Sequence, residues 1–189
     1  MKKILFVGAP SSGKTTLAND LFVELKKKNL KVEMIPELVR NEIQLNGIPE
    51  LWEQYRFYIL QNSYENALPK NIDYAIVDSG TLMMFFYCFR KENDNPRYRL
   101  LMQDMFKIFL DDFYSKKYDY IFYVPVRRVL ERNEDFKDGT RFQDLEDIMT
   151  LDSHLYLHFV KLHNRKNVFH VNCDLKERLN FVLNHIDLN

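Results

Sequence analysis

The chain has 189 residues, with 27 Lys and Arg balanced by 27 Asp and Glu. That length suits one α/β domain able to bury roughly 70% of the unfolded chain's surface, and zero net charge leaves no global field to recruit nucleic acid or an anionic membrane. No run approaches the ~18 apolar residues that span a bilayer, and the apolar stretch after Met1-Lys2-Lys3 stops at Gly8, too short for the core of a signal peptide.

Ile4 to Val7 is an apolar run ending on a glycine, which reads as a buried parallel strand. Gly8-Ala9-Pro10-Ser11-Ser12-Gly13-Lys14-Thr15 follows and matches G-x-x-x-x-G-K-[ST], the Walker A phosphate loop. From Thr16, apolar residues at 17, 18, 21, 22 and 25 mark one face of a helix that ends in Lys26-Lys27-Lys28-Asn29. Strand, glycine loop and helix are the context this motif requires. Gly8 and Gly13 let the backbone approach a phosphate, and amides from Ser12 to Thr15 point inward at the positive end of the helix dipole. Lys14 is expected to reach the β- and γ-phosphates of ATP, and the Thr15 hydroxyl to ligate Mg²⁺. The whole loop from Gly8 through Ala9, Pro10, Ser11, Ser12, Gly13, Lys14 and Thr15 to Thr16 is the expected cofactor site.

Further along, residues 31–35 form a second strand, followed by Pro36-Glu37-Leu38-Val39-Arg40. A helix over 50–67 opens on Pro49 and carries Trp52, Tyr55, Ile59 and Leu60. Residues 72–78 form the third strand, ending on Asp78, and 82–89 a buried apolar helix. After a polar break at 91–96 come a helix over 97–116 and a fourth strand, 118–124, stopped by Pro125. A charged segment, 127–141, precedes a helix over 142–163; a fifth strand, 167–171, and a closing helix, 175–186, complete the chain. Strands alternating with helices predict a parallel sheet covered on both faces, with its ligands at the carboxyl ends of the strands.

Those strand ends collect the candidate residues. Asp78 suits a metal-binding or base role, and it can at the same time cap the next helix. Glu37 can accept a proton from an attacking hydroxyl or pair with Arg40, which itself could hold an anionic substrate group. Gln61 has both donor and acceptor groups to read a base edge, and is otherwise a plain polar helix position. Arg127, Arg128, Arg132 and Arg141 lie in an expected lid over 126–141, where guanidinium groups would stabilise phosphoryl charge. The five histidines show no metal motif and are read as structural. Cys88 and Cys173 form no CxxC pair, so reduced thiols in a cytoplasmic protein are expected.

Taken together, G-A-P-S-S-G-K-T-T, E-L-V-R at 37–40, Gln61, D-S at 78–79 and D-G-T-R at 138–141 resemble the P-loop kinase family of the NadR ribosylnicotinamide kinase domain and related AAA-type ATPase domains. The resemblance implies a five-stranded parallel sheet in the order 2-3-1-4-5 and ATP-dependent phosphorylation of a nucleoside hydroxyl. By position it implies that Lys14 and Thr15 hold ATP and Mg²⁺, that Asp78 is the metal or base residue, and that Arg141 lies in the lid. No adenylyltransferase or DNA-binding domain precedes the motif, so a single, stand-alone kinase domain over 1–189 is expected. Residues 41–68 carry no counterpart motif.

The leading expectation is therefore a small-molecule kinase, with a nucleoside-like acceptor between the second strand and the aromatic helix around Trp52. An ATP-hydrolysing switch acting on a protein or nucleic-acid partner is the rival. A kinase acting on nucleic acid is disfavoured by the neutral charge. Whether the chain dimerises, and which of Glu37 and Asp78 is the base, stay open from sequence.

Overall fold

The computed structural model describes residues 1–47, 50, 52–88, 96–126, 144–163 and 165–188. Its centre is a five-stranded parallel sheet in the order β2-β3-β1-β4-β5, as expected for a P-loop kinase. The strands are β1 (Lys2–Val7), β2 (Val32–Ile35), β3 (Tyr74–Asp78), β4 (Tyr120–Tyr123) and β5 (Val168–His170). In register, Leu5 of β1 lies between Val77 of β3 and Ile121 of β4.

Strand periodicity sorts the apolar side chains to the two faces. Ile4, Phe6, Ile76 and Phe122 pack under α1 (Lys14–Lys27), against Leu17, Ala18, Leu21 and Leu25, and under Val182 of the last helix, α7 (Arg178–Leu183). Leu5, Val7, Val77, Ile121 and Tyr123 face the opposite layer of α3 (Glu53–Asn66), α4 (Met83–Tyr87), α5 (Pro96–Tyr114) and α6 (Leu145–Tyr156). That second core is rich in aromatic rings: Phe85, Phe86, Phe109, Phe113 and Phe159 meet with centroids 5.1 to 5.9 Å apart. α2 (Leu38–Asn46) leaves the end of β2 and meets α3.

Several helices differ from the sequence expectation. α6 starts at Leu145, capped by the Asp144 carboxylate on the Asp147 amide at 2.8 Å, and continues as π-helix over Leu157–Leu162. The closing helix is shorter than 175–186, because residues 175–177 form a turn ahead of Arg178. The sequence left the buried face of α3 unassigned. In this helix the apolar Trp52, Tyr55, Ile59 and Leu60 are exposed, whereas Gln54, Phe57, Gln61 and Glu65 are buried. Helical periodicity named the residues but tertiary packing turned the polar stripe inward.

Glu65 explains part of that inversion. Its carboxylate accepts from the Tyr118 hydroxyl at 2.9 and 3.0 Å and pairs with Lys117 at 3.5 Å. Lys117 also donates to Asp112, Thr81 and Asn62, at 3.2, 3.0 and 2.8 Å. A buried carboxylate is tolerable when it is paired and hydrogen-bonded in this way.

Candidate active site

The phosphate loop joins β1 to α1 at the carboxyl edge of the sheet. Ser11 (φ 68°) and Gly13 (φ 82°) both lie in the left-handed region. At Gly8 a Cβ would sit 2.5 Å from the Val124 carbonyl oxygen and 2.6 Å from Ser12 Oγ, so only glycine lets the loop pass the end of β4. The Ser12 hydroxyl accepts from the Lys14 amide at 3.4 Å.

Four of the expected residues converge here. Lys14 Nζ lies 3.0 Å from Glu37 Oε2 and 3.7 Å from Asp78 Oδ1. Thr15 Oγ1 donates to Asp78 Oδ2 at 2.6 Å. The three charged side chains are nearly withdrawn from solvent, at 8% for Lys14, 14% for Glu37 and 2% for Asp78. A fifth residue escaped the sequence reading: the Tyr87 hydroxyl, from α4, donates to Glu37 Oε1. Tyr87 sits in the pentapeptide Met83 to Tyr87, whose only side-chain oxygen is that hydroxyl.

Burial and charge set the protonation states. Burial disfavours the Lys14 ammonium, but Glu37 and Asp78 outweigh it and hold its pKa above the ordinary lysine value. Burial likewise works against ionised Glu37, yet Lys14 and the hydrogen bond from Tyr87 pull its pKa below the usual carboxylate value. Asp78 goes the other way: burial raises it, Lys14 opposes, and the nearby Glu37 charge adds to the rise. Burial and the Glu37 charge raise the Tyr87 phenol well above 10.0, so it stays a donor.

The oxygens of Thr15 and Asp78 make a hard donor pair of the kind Mg²⁺ takes. Asp78 Oδ1 is buried and accepts no hydrogen bond among the described residues; the Lys14 ammonium faces it from 3.7 Å. Once Lys14 turns to a phosphate, this oxygen suits a cation completing its shell with phosphate and water. The residues therefore fit the metal. Among the described residues no group of three or more His, Cys, Asp or Glu side chains could hold a metal by itself.

The remaining expected residues fall elsewhere. Arg40 lies on α2, half-buried, one turn after Glu37. Gln61 is buried on α3: its amide nitrogen donates to Glu65 at 3.4 Å, while its Oε1 is buried without a hydrogen-bond partner among the described residues. Gln54, two turns earlier on the same face, has an Oε1 in the same condition. Trp52, expected beside the acceptor, stands at the start of α3 at 67% exposure. Arg127, Arg128, Arg132 and Arg141, with nearly all of the expected lid, lie outside the described residues. A last missed residue is Arg178, which comes from α7 to bond the Ser12 carbonyl oxygen. Nothing in its local sequence signalled that contact.

A phosphate loop on β1, carboxylates at the ends of β2 and β3, and the 2-3-1-4-5 sheet define a P-loop α/β protein of the nucleoside-kinase fold. The chain belongs to the AAA domain family, whose model matches residues 3–178. Its fold is similar to that of a NadR protein solved in complex with NR, with TM-score 0.70 and 16% identity over 100% of this chain. The chain spans about half, 53%, of that NadR chain. It is also similar to a deoxyadenosine kinase from M. mycoides, solved with products dCMP and dCDP, at TM-score 0.56 and 17% identity; 96% of this chain and 97% of that one are covered. The same kinase with bound dATP gives TM-score 0.55 at 16% identity, covering 97% and 98% of the two chains. No curated protein matches by sequence.

Proposed function

We propose that this chain is an ATP-dependent kinase that phosphorylates a hydroxyl of a nucleoside-like small molecule. The observation that carries the reading is the division of labour between two carboxylates on one lysine. Asp78 is engaged by Thr15, the Mg²⁺ side, whereas Glu37 is held by Lys14 and Tyr87 at the end of β2. The fold it shares with NadR and deoxyadenosine kinase supports the same reading.

In this account Lys14 turns from Glu37 to the β- and γ-phosphates as ATP enters, and the loop amides bind the phosphate oxygens. Thr15 and Asp78 would hold Mg²⁺, which when bound neutralises charge on the phosphates. Glu37, with Tyr87 fixing its orientation, accepts the proton of the acceptor hydroxyl. As the oxygen–phosphorus bond forms, the bond from the γ-phosphorus to the β–γ bridging oxygen breaks and ADP leaves. Arg128, Arg132 and Arg141 are proposed to bring guanidinium groups to the transferring group. The acceptor is proposed to lie between the end of β2 and α3, with Gln54 and Gln61, on the buried face of α3, turning a carbonyl oxygen to polar donors on its ring. Arg40 is proposed to meet an anionic group on the acceptor. Ribosylnicotinamide and the (deoxy)nucleosides or nucleotides are the acceptor classes to try.

The test is ADP release from ATP·Mg²⁺ with a panel of nucleosides, nucleoside monophosphates, nicotinamide riboside and short oligonucleotides, with Lys14→Ala as control. Turnover that needs one small acceptor and vanishes in the control is expected. Hydrolysis indifferent to every acceptor would instead favour an ATP-hydrolysing switch.

A further inference from the structure

Arg178 is 2% exposed and sits at the first position of α7, well over a hundred residues from the loop it touches. Its Nη1 donates to the Ser12 carbonyl oxygen at 2.7 Å, and its Nη2 to the Pro125 carbonyl oxygen, just past β4, at 3.5 Å. The same Nη1 lies 3.2 Å from where a Cβ on Gly13 would be. One guanidinium nitrogen therefore lies against the Ser12–Gly13 peptide, at the point where φ turns to 82°.

A trans peptide is planar, with its C=O and N–H pointing in opposite directions. With the Ser12 carbonyl aimed at Arg178 behind the loop, the Gly13 N–H is aimed at the opposite side, into the phosphate cradle. Gly13, with φ 82° and no Cβ, leaves this peptide free to flip, and a flip would present a carbonyl oxygen to the phosphate. A charge-assisted bond on the carbonyl both opposes the flip and polarises the peptide, strengthening the N–H as a donor.

We propose that Arg178 is a positioning residue of the nucleotide site, which locks and polarises the Ser12–Gly13 peptide so that the Gly13 N–H binds a phosphate oxygen. Arg178 touches no substrate atom in this account. It acts through the loop, and it also ties the loop to the end of β4 at Pro125. The proposal rests only on the part of the functional reading that gives the loop a polyphosphate ligand, and not on the identity of the acceptor.

The experiment measures binding of ATP and of inorganic tripolyphosphate, by titration calorimetry, to the wild-type chain and to Arg178→Lys, Arg178→Gln and Arg178→Ala. Tripolyphosphate reports on the cradle alone. Wild-type protein that binds neither ligand would remove the nucleotide-site reading itself. Given wild-type binding, Arg178→Ala is expected to weaken both ligands by roughly tenfold to a hundredfold, the range of a buried charged hydrogen bond. Arg178→Lys is expected to retain more affinity than Arg178→Gln, because it keeps the charge, and added guanidinium ion should restore part of the Arg178→Ala loss. If Arg178→Ala does not fold, the Lys and Gln variants carry the decision. Gln equal to or better than Lys for both ligands, or a folded Arg178→Ala or Arg178→Gln variant binding tripolyphosphate as tightly as wild type, overturns the proposal.

Discussion

Lys14 and Glu37 form a 3.0 Å ion pair from which water is nearly excluded, and Asp78 lies 3.7 Å from the same ammonium. Removing the cation leaves two buried carboxylates facing each other. Lys14→Met is expected to lower stability at pH 7 by about 3 to 5 kcal/mol, the usual cost of breaking a buried pair from one side. Lys14→Met with Glu37→Gln should recover part of it. Urea denaturation of both variants checks this; additive losses would mean that the two side chains do not share the pair.

Glu37 and Asp78 should separate kinetically. If Glu37 is the base, Glu37→Gln lowers kcat by on the order of 10² to 10⁴, with the KM for ATP·Mg²⁺ little changed. Asp78→Asn, which alters the partner of Thr15, should mainly raise the Mg²⁺ concentration giving half-maximal rate. ADP-release rates measured across a Mg²⁺ series decide the assignment. The reverse pattern would make Asp78 the base.

Gln54 and Gln61 each bury a carbonyl oxygen that has no hydrogen-bond partner among the described residues. A purely structural glutamine in that state costs stability, so replacing it with leucine should be neutral or stabilising. Gln54→Leu is therefore expected to keep or raise the melting temperature, whereas Gln61→Leu also removes the donor to Glu65 and should lower it. Both are expected to raise KM for the acceptor at least tenfold, about 1.4 kcal/mol. An unchanged KM in both variants would exclude them from the acceptor site.

His158 packs edge-on against Phe85, Phe86, Phe106 and Phe109 and stacks on His163 at 5.6 Å. Burial, followed by the charges of His163 and His154, lowers its pKa from 6.5 to about 4. The unfolded chain thus takes up the proton first. The stability this residue contributes is complete above about pH 6.5 and is lost as the pH falls towards 4. Melting curves of wild type and His158→Phe between pH 7.5 and pH 4, where the variant should decline less steeply, test the sign.

Gly8→Ala would place a methyl group 2.5 Å from the backbone oxygen of Val124, where no side-chain rotation relieves it. The loop or the end of β4 must shift. A stability loss of about 1 to 3 kcal/mol is expected, together with loss of ATP binding, measured by denaturation and by nucleotide titration. Wild-type ATP affinity in the folded variant would show that the loop tolerates the shift.

Much of this molecule was legible in its sequence. The phosphate loop was readable because its conformation is local: two glycines, a lysine and a threonine between an apolar run and a helical face. The parallel sheet followed from alternation alone, and Glu37 and Asp78 were placed by the rule that strand ends collect ligands. The buried face of α3 was not legible, because Trp52, Tyr55, Ile59 and Leu60 point to solvent while Gln54, Phe57, Gln61 and Glu65 turn inward. Periodicity shows that a helix has two faces; the neighbours decide which one is buried.

By itself, then, the sequence determined the loop, the strands and the two carboxylates, since each depends on residues within a few positions of one another. Only the tertiary structure decided how Glu37 is held, through a tyrosine 50 residues away, and what braces the loop, an arginine 166 residues from Ser12. Those contacts exist because the sheet brings separate strand ends to one edge, and chain spacing carries no trace of that proximity.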